Sequence, residues 1–205
     1  PTEEYIRRAL KKLLKKPDVR KCIFSTYRSW VIVNFLLSTG VRQNSLINVK
    51  IRDVDFDNSV VYVNMTKNRK PLIIPLNEDI LKILKEYLQY RGGEADDWLF
   101  CSVYGKQLTR SSNYHALWDY CHERGVEQTG VHRFRHTFAK KWAIMGGSVV
   151  TLQKILGHSS LAITEGYLNL LTSDLKKEML FFSNIDTIDP GTIPWSAIRF
   201  QRNNN

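Results

Sequence analysis

Cysteine is scarce in this 205-residue chain, and none of its three cysteines lies close to another in the sequence. Cys22, Cys101 and Cys121 form no CxxC pair. This absence excludes a disulfide framework and argues against a structural zinc site. We therefore expect buried, unreactive thiols and a cytoplasmic location.

Long apolar runs and local carboxylates are also lacking. No apolar run approaches the roughly 18 residues of a membrane-spanning helix, and no secretory signal peptide is apparent. Between Arg124 and Glu165 the only carboxylate is Glu127. Because a histidine-based metal site needs a carboxylate nearby, we expect no bound metal. The lack of a membrane-spanning run argues against a membrane partner.

Positive charge, by contrast, is abundant, with a formal net charge of +10. Residues 1–28 alone carry nine lysines and arginines against three carboxylates, a surplus of six. An excess of this size favours a polyanionic partner, nucleic acid or a membrane surface. A basic run alone is more often a solvated helix face, so its charge does not identify the partner.

Hydrophobic periodicity predicts a mainly helical α+β domain with one small antiparallel sheet. The apolar strands 60–63 and 72–76 flank the polar residues 67–70 and are expected to form a β-hairpin, and residues 98–100 a brief extended segment. Helices are expected at residues 1–17, 21–38, 44–49, 78–90, 109–123, 132–145, 149–156, 160–170 and 172–183.

Apolar residues at helical spacing also predict which faces of the first two helices are buried. In the first helix these are Ile6, Leu10, Leu13 and Leu14. In the second helix they are Tyr27, Trp30, Val31, Phe35 and Leu36. Gly40 is expected to end the second helix, and Asn77 to cap the helix that follows the hairpin.

Two motifs near the C-terminal end bring arginine, histidine and tyrosine together. They are His132-Arg133-Phe134-Arg135-His136 and Leu156-Gly157-His158-Ser159-Ser160, with Tyr167 following. His132 and Arg135 share a helix face, and His136 is expected towards the helix interior. Arginine binds phosphate oxygens through paired N–H groups, and a tyrosine beside it can act as a covalent nucleophile. The combination favours attack on a phosphodiester.

Each of these residues also has a purely structural explanation. His132 and Arg135 fit a structural pair, His158 fits a helix junction after Gly157, and Tyr167 fits a core position. Arg42 and Lys67 fit solvated surface positions. The functional interpretation therefore depends on the order and spacing of the whole set.

That order resembles the tyrosine recombinases, which include phage-type integrases, conjugative-transposon integrases and recombinases that resolve chromosome dimers. The resemblance covers about residues 20–183, which correspond to a catalytic domain. Lys70 competes with Lys67 for the lysine position, and Ser45 stands where many members have an acidic residue. The matching motifs are Thr39-Gly40-Val41-Arg42, the hairpin lysine before Ile74-Pro75-Leu76, His132-x-x-Arg135-His136-Thr137-Phe138-Ala139, Leu156-Gly157-His158-Ser159-Ser160, and Tyr167.

The resemblance implies a site-specific DNA recombinase or integrase that cleaves and rejoins strands through a 3′-phosphotyrosyl intermediate. Tyr167 would be the nucleophile and His132 would accept its proton. Lys67 would protonate the leaving 5′ oxygen. Arg42, Arg135 and His158 would bind the non-bridging oxygens. The resemblance also implies no metal, because the two arginines and the lysine supply the positive charge. It implies no cofactor, because the phosphotyrosyl ester conserves the energy of the broken bond.

The implied organisation is a catalytic domain over residues 1–183, with a basic N-terminal helix at 1–17, and a tail at 184–205. The C-terminal segment could pack on its own protomer or on a neighbouring one, and the sequence does not decide between these alternatives. The implied partner is double-stranded DNA, bound by a homotetramer. The residues expected to contact DNA are Arg7, Lys11, Lys12, Lys70, Arg110, Lys140 and Lys141.

Two alternatives share this motif order. One is a topoisomerase-like enzyme that nicks and closes one strand, and the other is a catalytically inactive DNA-binding relative. The family normally carries a separate N-terminal domain that completes a clamp around DNA, whereas only a short basic helix precedes the catalytic residues here. Two explanations fit that difference. The chain binds DNA weakly by itself, or it is part of a longer natural protein.

Overall fold

A computed structural model describes residues 3–63, 72–127 and 129–157. Those ranges contain seven α-helices, a 3₁₀ turn at Ile51–Asp53 and three strands. The helices are α1 (Glu3–Leu14), α2 (Phe24–Thr39), α3 (Gln43–Leu46), α4 (Glu78–Arg91), α5 (Arg110–His122), α6 (Val131–Ile144) and α7 (Val149–Leu156). The strands are β1 (Val54–Asp55), β2 (Val60–Val63) and β3 (Leu72–Pro75). The predicted α+β class is confirmed.

The sheet is antiparallel throughout, in the order β1-β2-β3. Val61 pairs with Ile74 on one side and with Val54 on the other. The two predicted hairpin strands are confirmed, whereas the predicted turn at 67–70 lies outside the described residues. Strand β1 was not predicted, because two residues are too few to show an alternating pattern.

Helix α2 forms the centre of the fold and packs against α1, α4, α5 and α6. Its five predicted core residues are all buried. A helix covered on most sides needs apolar residues around most of its circumference, and the sequence of α2 provides them. In α1, Leu13 is buried, but Leu14 is 37% exposed, so its predicted burial is wrong. Adjacent helical residues point about 100° apart, so of these two neighbours only Leu13 faces the core.

Most predicted helix ends are correct to within three residues. Gly40 ends α2 in the left-handed conformation (φ 62°), and its N–H donates to the Leu36 carbonyl. Asn77 caps α4 by accepting from the Ile80 N–H at 3.0 Å. Helix α3 is shorter than predicted, and residues 98–100 form only a bridge through Trp98. The helices predicted at 160–170 and 172–183 lie outside the described residues.

The thiols largely match the expectation from the sequence. Cys101 and Cys121 are buried and Cys22 is half-buried, and all three are free. Burial raises the pKa of the Cys121 thiol, which keeps it protonated and unreactive. None of the helices in the described part of the chain is long and apolar enough to cross a membrane.

Gly40 provides a first test of the fold. A Cβ at this position would overlap the Phe138 ring, whereas a Cβ at Gly105 (φ 73°) would meet open space. We expect Gly105→Ala to lower the free energy of unfolding by about 1–2 kcal/mol, the cost of the backbone conformation. Gly40→Ala should cost about 1–3 kcal/mol more, because the ring must shift. Urea unfolding measures both, and equal losses would show that Phe138 does not press on Gly40.

Candidate active site

Arg42 lies at the junction between α2 and α3. Its extended backbone makes it the residue that precedes the first turn of α3. Its side chain is half-buried, and Nη2 donates to the Gly157 carbonyl at 3.1 Å. Within the described ranges this is the only hydrogen bond of the Arg42 side chain. A guanidinium has five N–H donors, so several remain available to a ligand.

Arg135 is held more tightly, between the ends of two helices. Its side chain projects from α6 and the residue is only 4% exposed. Nη1 donates to the Gly40 carbonyl at 2.7 Å, and Nη2 donates to the Leu156 carbonyl at 2.8 Å. Both acceptors lie at helix C-termini, which carry partial negative charge. These two carbonyls offset the cost of burying the cation and fix the orientation of its guanidinium group.

The two arginines therefore meet at consecutive carbonyls, those of Leu156 and Gly157, at the end of α7. Both line a small open pocket, together with Ser45. The other walls are mainly apolar and include Val63, Leu72 and Ile155. Apolar walls beside two guanidinium groups strengthen the attraction for an anion, because the local dielectric constant is lower than in water.

The two histidines of α6 are placed differently from the arginines. His132 lies in the first turn of the helix and is exposed. His136 is exposed as well, so its predicted position towards the helix interior is wrong. The buried face of α6 is formed by Phe134, Arg135, Phe138 and Ala139 instead. A step of one residue turns the helix by about 100°, which carries His136 away from that face.

Partial burial lowers the pKa of His136 below 6.5, and nearby positive charge on His132, Arg135 and Arg133 lowers it further. The unfolded chain therefore takes up this proton at a higher pH than the folded chain does. The contribution of His136 to the free energy of unfolding is therefore complete above pH 6.5. It is lost as the pH falls through the lowered pKa of the folded state.

A prediction follows from the His136 pKa. His136→Gln should flatten the decline in the free energy of unfolding between about pH 7.5 and pH 5.5, since glutamine does not titrate there. Urea unfolding across this range provides the measurement. His115→Gln, an exposed histidine change on α5, is the control. An equally steep decline in the His136→Gln chain would contradict the electrostatic account.

Several predicted site residues cannot be placed. Lys67, Lys70, His158 and Tyr167 lie outside the described residues. The Gly157 carbonyl, which accepts from Arg42, belongs to the residue directly before His158. Of the other predicted DNA contacts, Lys140 is half-buried. The remaining ones are exposed, namely Arg7, Lys11, Lys12, Arg110 and Lys141.

The carbonyl groups that hold the arginines were not predicted from the sequence. Its only signal for them was the pair of glycines at the two helix ends, Gly40 and Gly157, with φ of 62° and 60°. Their sequence context indicates turn residues and does not show that their carbonyls accept hydrogen bonds from guanidinium groups. Among the described residues, no three histidine, cysteine, aspartate or glutamate side chains are grouped so that they could hold a metal ion.

Comparison with known proteins places the chain in a family. The sequence pattern of the phage integrase family matches residues 5–173. The tyrosine recombinase XerA of Saccharolobus solfataricus is 32% identical over 177 residues, which cover 85% of this chain and 58% of that protein. XerA of Pyrococcus furiosus is 30% identical over 179 residues, which cover 84% of this chain and 62% of that protein. The chain belongs to the phage integrase family, and its resemblance to tyrosine recombinases is confirmed.

Solved structures agree with this assignment. The crystal structure of a XerA recombinase is 29% identical, with a TM-score of 0.70, over 92% of this chain and 64% of that chain. The Tn1549 transposon integrase in complex with transposon right end DNA has a similar fold, with 20% identity and a TM-score of 0.63, over 87% of this chain and 65% of that chain. This chain therefore spans less than two thirds of each of these proteins.

Proposed function

We propose that this chain is the catalytic part of a site-specific DNA recombinase or integrase. The observation that supports this most is the meeting of Arg42 and Arg135 at the end of α7, directly before His158 in the sequence. Two guanidinium groups that share one open pocket suit the two non-bridging oxygens of a phosphodiester. The names of the relatives, tyrosine recombinases, agree with this chemistry.

The proposed reaction has two reversible steps. The Tyr167 oxygen forms a bond to the scissile phosphorus while the bond from phosphorus to the 5′ oxygen breaks. His132 accepts the tyrosine proton, and Lys67 gives a proton to the departing 5′ oxygen. The product is a 3′-phosphotyrosyl ester and a free 5′-hydroxyl. Attack on the ester by the 5′-hydroxyl of another strand reverses each bond change and rejoins the DNA.

The arginines and His158 act on charge. In the transition state negative charge accumulates on the non-bridging oxygens, and preformed donors stabilise it without having to reorient. Arg135 meets this requirement because two carbonyls already fix its guanidinium. Lysine would be a poorer choice at this position, since its single nitrogen cannot reach two separated carbonyls and a phosphate together.

The wider assembly forms part of the same proposal. We assign the catalytic domain to residues 1–183 and a docking tail to residues 184–205, and we propose a homotetramer on double-stranded DNA in the cytoplasm. Strand exchange requires two duplexes and therefore several copies of the active site. The free cysteines support a reducing compartment. The predicted cations on α1, α5 and α6, together with Lys70, are the proposed contacts to the DNA backbone.

The contacts from α1 lead to a prediction about salt. Each phosphate contact adds about 0.9 to the slope of log affinity against log salt, so removing Lys11 and Lys12 should reduce that slope by up to about 2. The variant is Lys11→Gln with Lys12→Gln, and fluorescence anisotropy on a labelled duplex measures the slope. Lys82→Gln with Lys85→Gln on α4 removes the same charge from a helix without predicted contacts. Equal slopes for both double variants would exclude α1 from the interface.

The proposed activity can be tested without knowing the target sequence. A pool of nicked duplexes with a randomised centre is incubated with the chain. After cleavage, the short fragment that carries the free 5′-hydroxyl diffuses away, so that rejoining is prevented. We expect an SDS-resistant adduct whose recovered DNA shares a sequence. The absence of an adduct, with binding intact, would favour the inactive DNA-binding relative. Relaxation of supercoiled DNA by the monomer without pairing of sites would favour the topoisomerase-like alternative.

A further inference from the structure

One aromatic side chain lies near both helix ends that hold Arg135. Phe138 lies one turn after Arg135 on α6 and is buried. Its ring lies against the Cα atom of Gly40, where a Cβ would overlap it. The same ring belongs to an apolar cluster with Leu152 and Leu156 of α7. Phe138 therefore lies against Gly40 and shares an apolar cluster with Leu156, the two residues whose carbonyls accept from Arg135.

Helix α7 depends on that cluster for its position. The cluster consists of Phe138, Ala139, Leu152 and Leu156 and is separate from the main hydrophobic core. Helix α7 has eight residues, which is too short for a helix to be stable without packing. A hydrogen bond of 3.0 Å from Trp142 Nε1 to the Ser148 carbonyl fixes the start of α7, but not its C-terminal end. Packing around Phe138 therefore helps to place the Leu156 and Gly157 carbonyls, alongside the contacts of α7 with β3 and of Ile155 with the main core.

We propose that Phe138 is a positioning residue for the phosphate site. Its ring sets the spacing between the Gly40 and Leu156 carbonyls, and that spacing sets the direction of the Arg135 guanidinium. The same packing places the Gly157 carbonyl, which accepts from Arg42. The consequence for DNA cleavage rests on the proposed function, whereas the effect on Arg135 is a property of the free protein.

A matched change elsewhere separates positioning from general stability. Phe100 is fully buried in the main core, against Phe35 at 5.3 Å and Tyr87 at 5.9 Å between ring centroids. It belongs to the main core and not to the cluster around Phe138. Phe100→Leu therefore removes the same atoms as Phe138→Leu without touching the carbonyls that hold the arginines. Phe138→Met keeps most of the volume and serves as a milder variant that is expected to fold.

The first measurement uses nitrogen-15 NMR of the arginine guanidinium groups in the free chain. The Arg135 signal is assigned by its loss in Arg135→Lys. The two hydrogen bonds from Arg135 to carbonyl oxygens should slow rotation about its Cζ–Nε bond, both in the unaltered chain and in Phe100→Leu. We expect rotation at least about tenfold faster in Phe138→Leu and an intermediate rate in Phe138→Met, since a strained or broken bond to the cation no longer opposes it. Unchanged rotation in both Phe138 variants would overturn the proposal.

The second measurement compares DNA cleavage and DNA binding at equal fractions of folded chain. In Phe138→Leu the single-turnover rate of adduct formation should fall by about ten- to a hundredfold, because misplaced groups lose transition-state contacts. The dissociation constant for the duplex should change by less than about twofold, because most affinity comes from other phosphate contacts. A fall no larger than in Phe100→Leu would remove the catalytic part of the proposal. If Arg135 responds but no variant forms an adduct, positioning is retained and the proposed function fails.

Discussion

Tyr167→Phe is expected to abolish the covalent adduct while leaving DNA binding intact. Phenylalanine keeps the ring but lacks the oxygen that forms the ester, so no bond to phosphorus can form at this position. By analogy with the loss of other covalent nucleophiles, adduct formation should fall by about 10⁴-fold or more. The nicked-duplex assay and fluorescence anisotropy on the same preparation measure the two quantities.

A matched tyrosine change keeps this test specific. Tyr90 on α4 is exposed and packs edge-on against Tyr27, away from the two arginines. Tyr90→Phe should form the adduct at the rate of the unaltered chain. If Tyr167→Phe traps DNA as well as Tyr90→Phe does, another residue is the nucleophile.

Arg135→Lys should have the second largest effect, because it alters both catalysis and stability. Lysine keeps the charge but cannot bridge the Gly40 and Leu156 carbonyls. We expect the cleavage rate to fall by about 10²- to 10³-fold, as when one preformed oxyanion donor is lost. The free energy of unfolding should fall by about 1–3 kcal/mol, since at least one buried carbonyl loses its partner.

The neighbouring arginine supplies the control for this change. Arg133 lies two residues earlier on α6 and is exposed. Arg133→Lys should leave the single-turnover cleavage rate and the urea unfolding curve close to those of the unaltered chain. Comparable losses in both variants would mean that the carbonyl bridge of Arg135 does not matter for catalysis.

The features that the sequence predicted well are those with a local cause. Gly40 and Asn77 marked helix ends because a left-handed glycine and a capping amide act on the nearest turn. The burial of α2 followed from the apolar residues around its circumference. The order of the polar motifs was also informative, since Arg42 and Arg135 do meet at one pocket.

The features that the sequence did not predict depend on long-range contacts. The Arg42 bond to Gly157 joins positions 115 residues apart, and the Arg135 bond to Gly40 joins positions 95 apart. Every residue has a carbonyl, so no residue type marks the ones that hold a guanidinium. The exposed positions of Leu14 and His136 likewise depend on which helix face meets the core. Helical spacing alone leaves that face uncertain by about one residue.

The most direct test of the central claim is a crystal structure of the Tyr167→Phe chain bound to an uncleaved duplex selected by the pool experiment. The account predicts that one phosphate lies in the pocket beside Ser45 and accepts hydrogen bonds from both Arg42 and Arg135. It also predicts that the altered side chain at position 167, from the same protomer or a neighbouring one, faces the phosphorus of that phosphate. A complex in which no phosphate reaches both guanidinium groups, with every protomer considered, would contradict it.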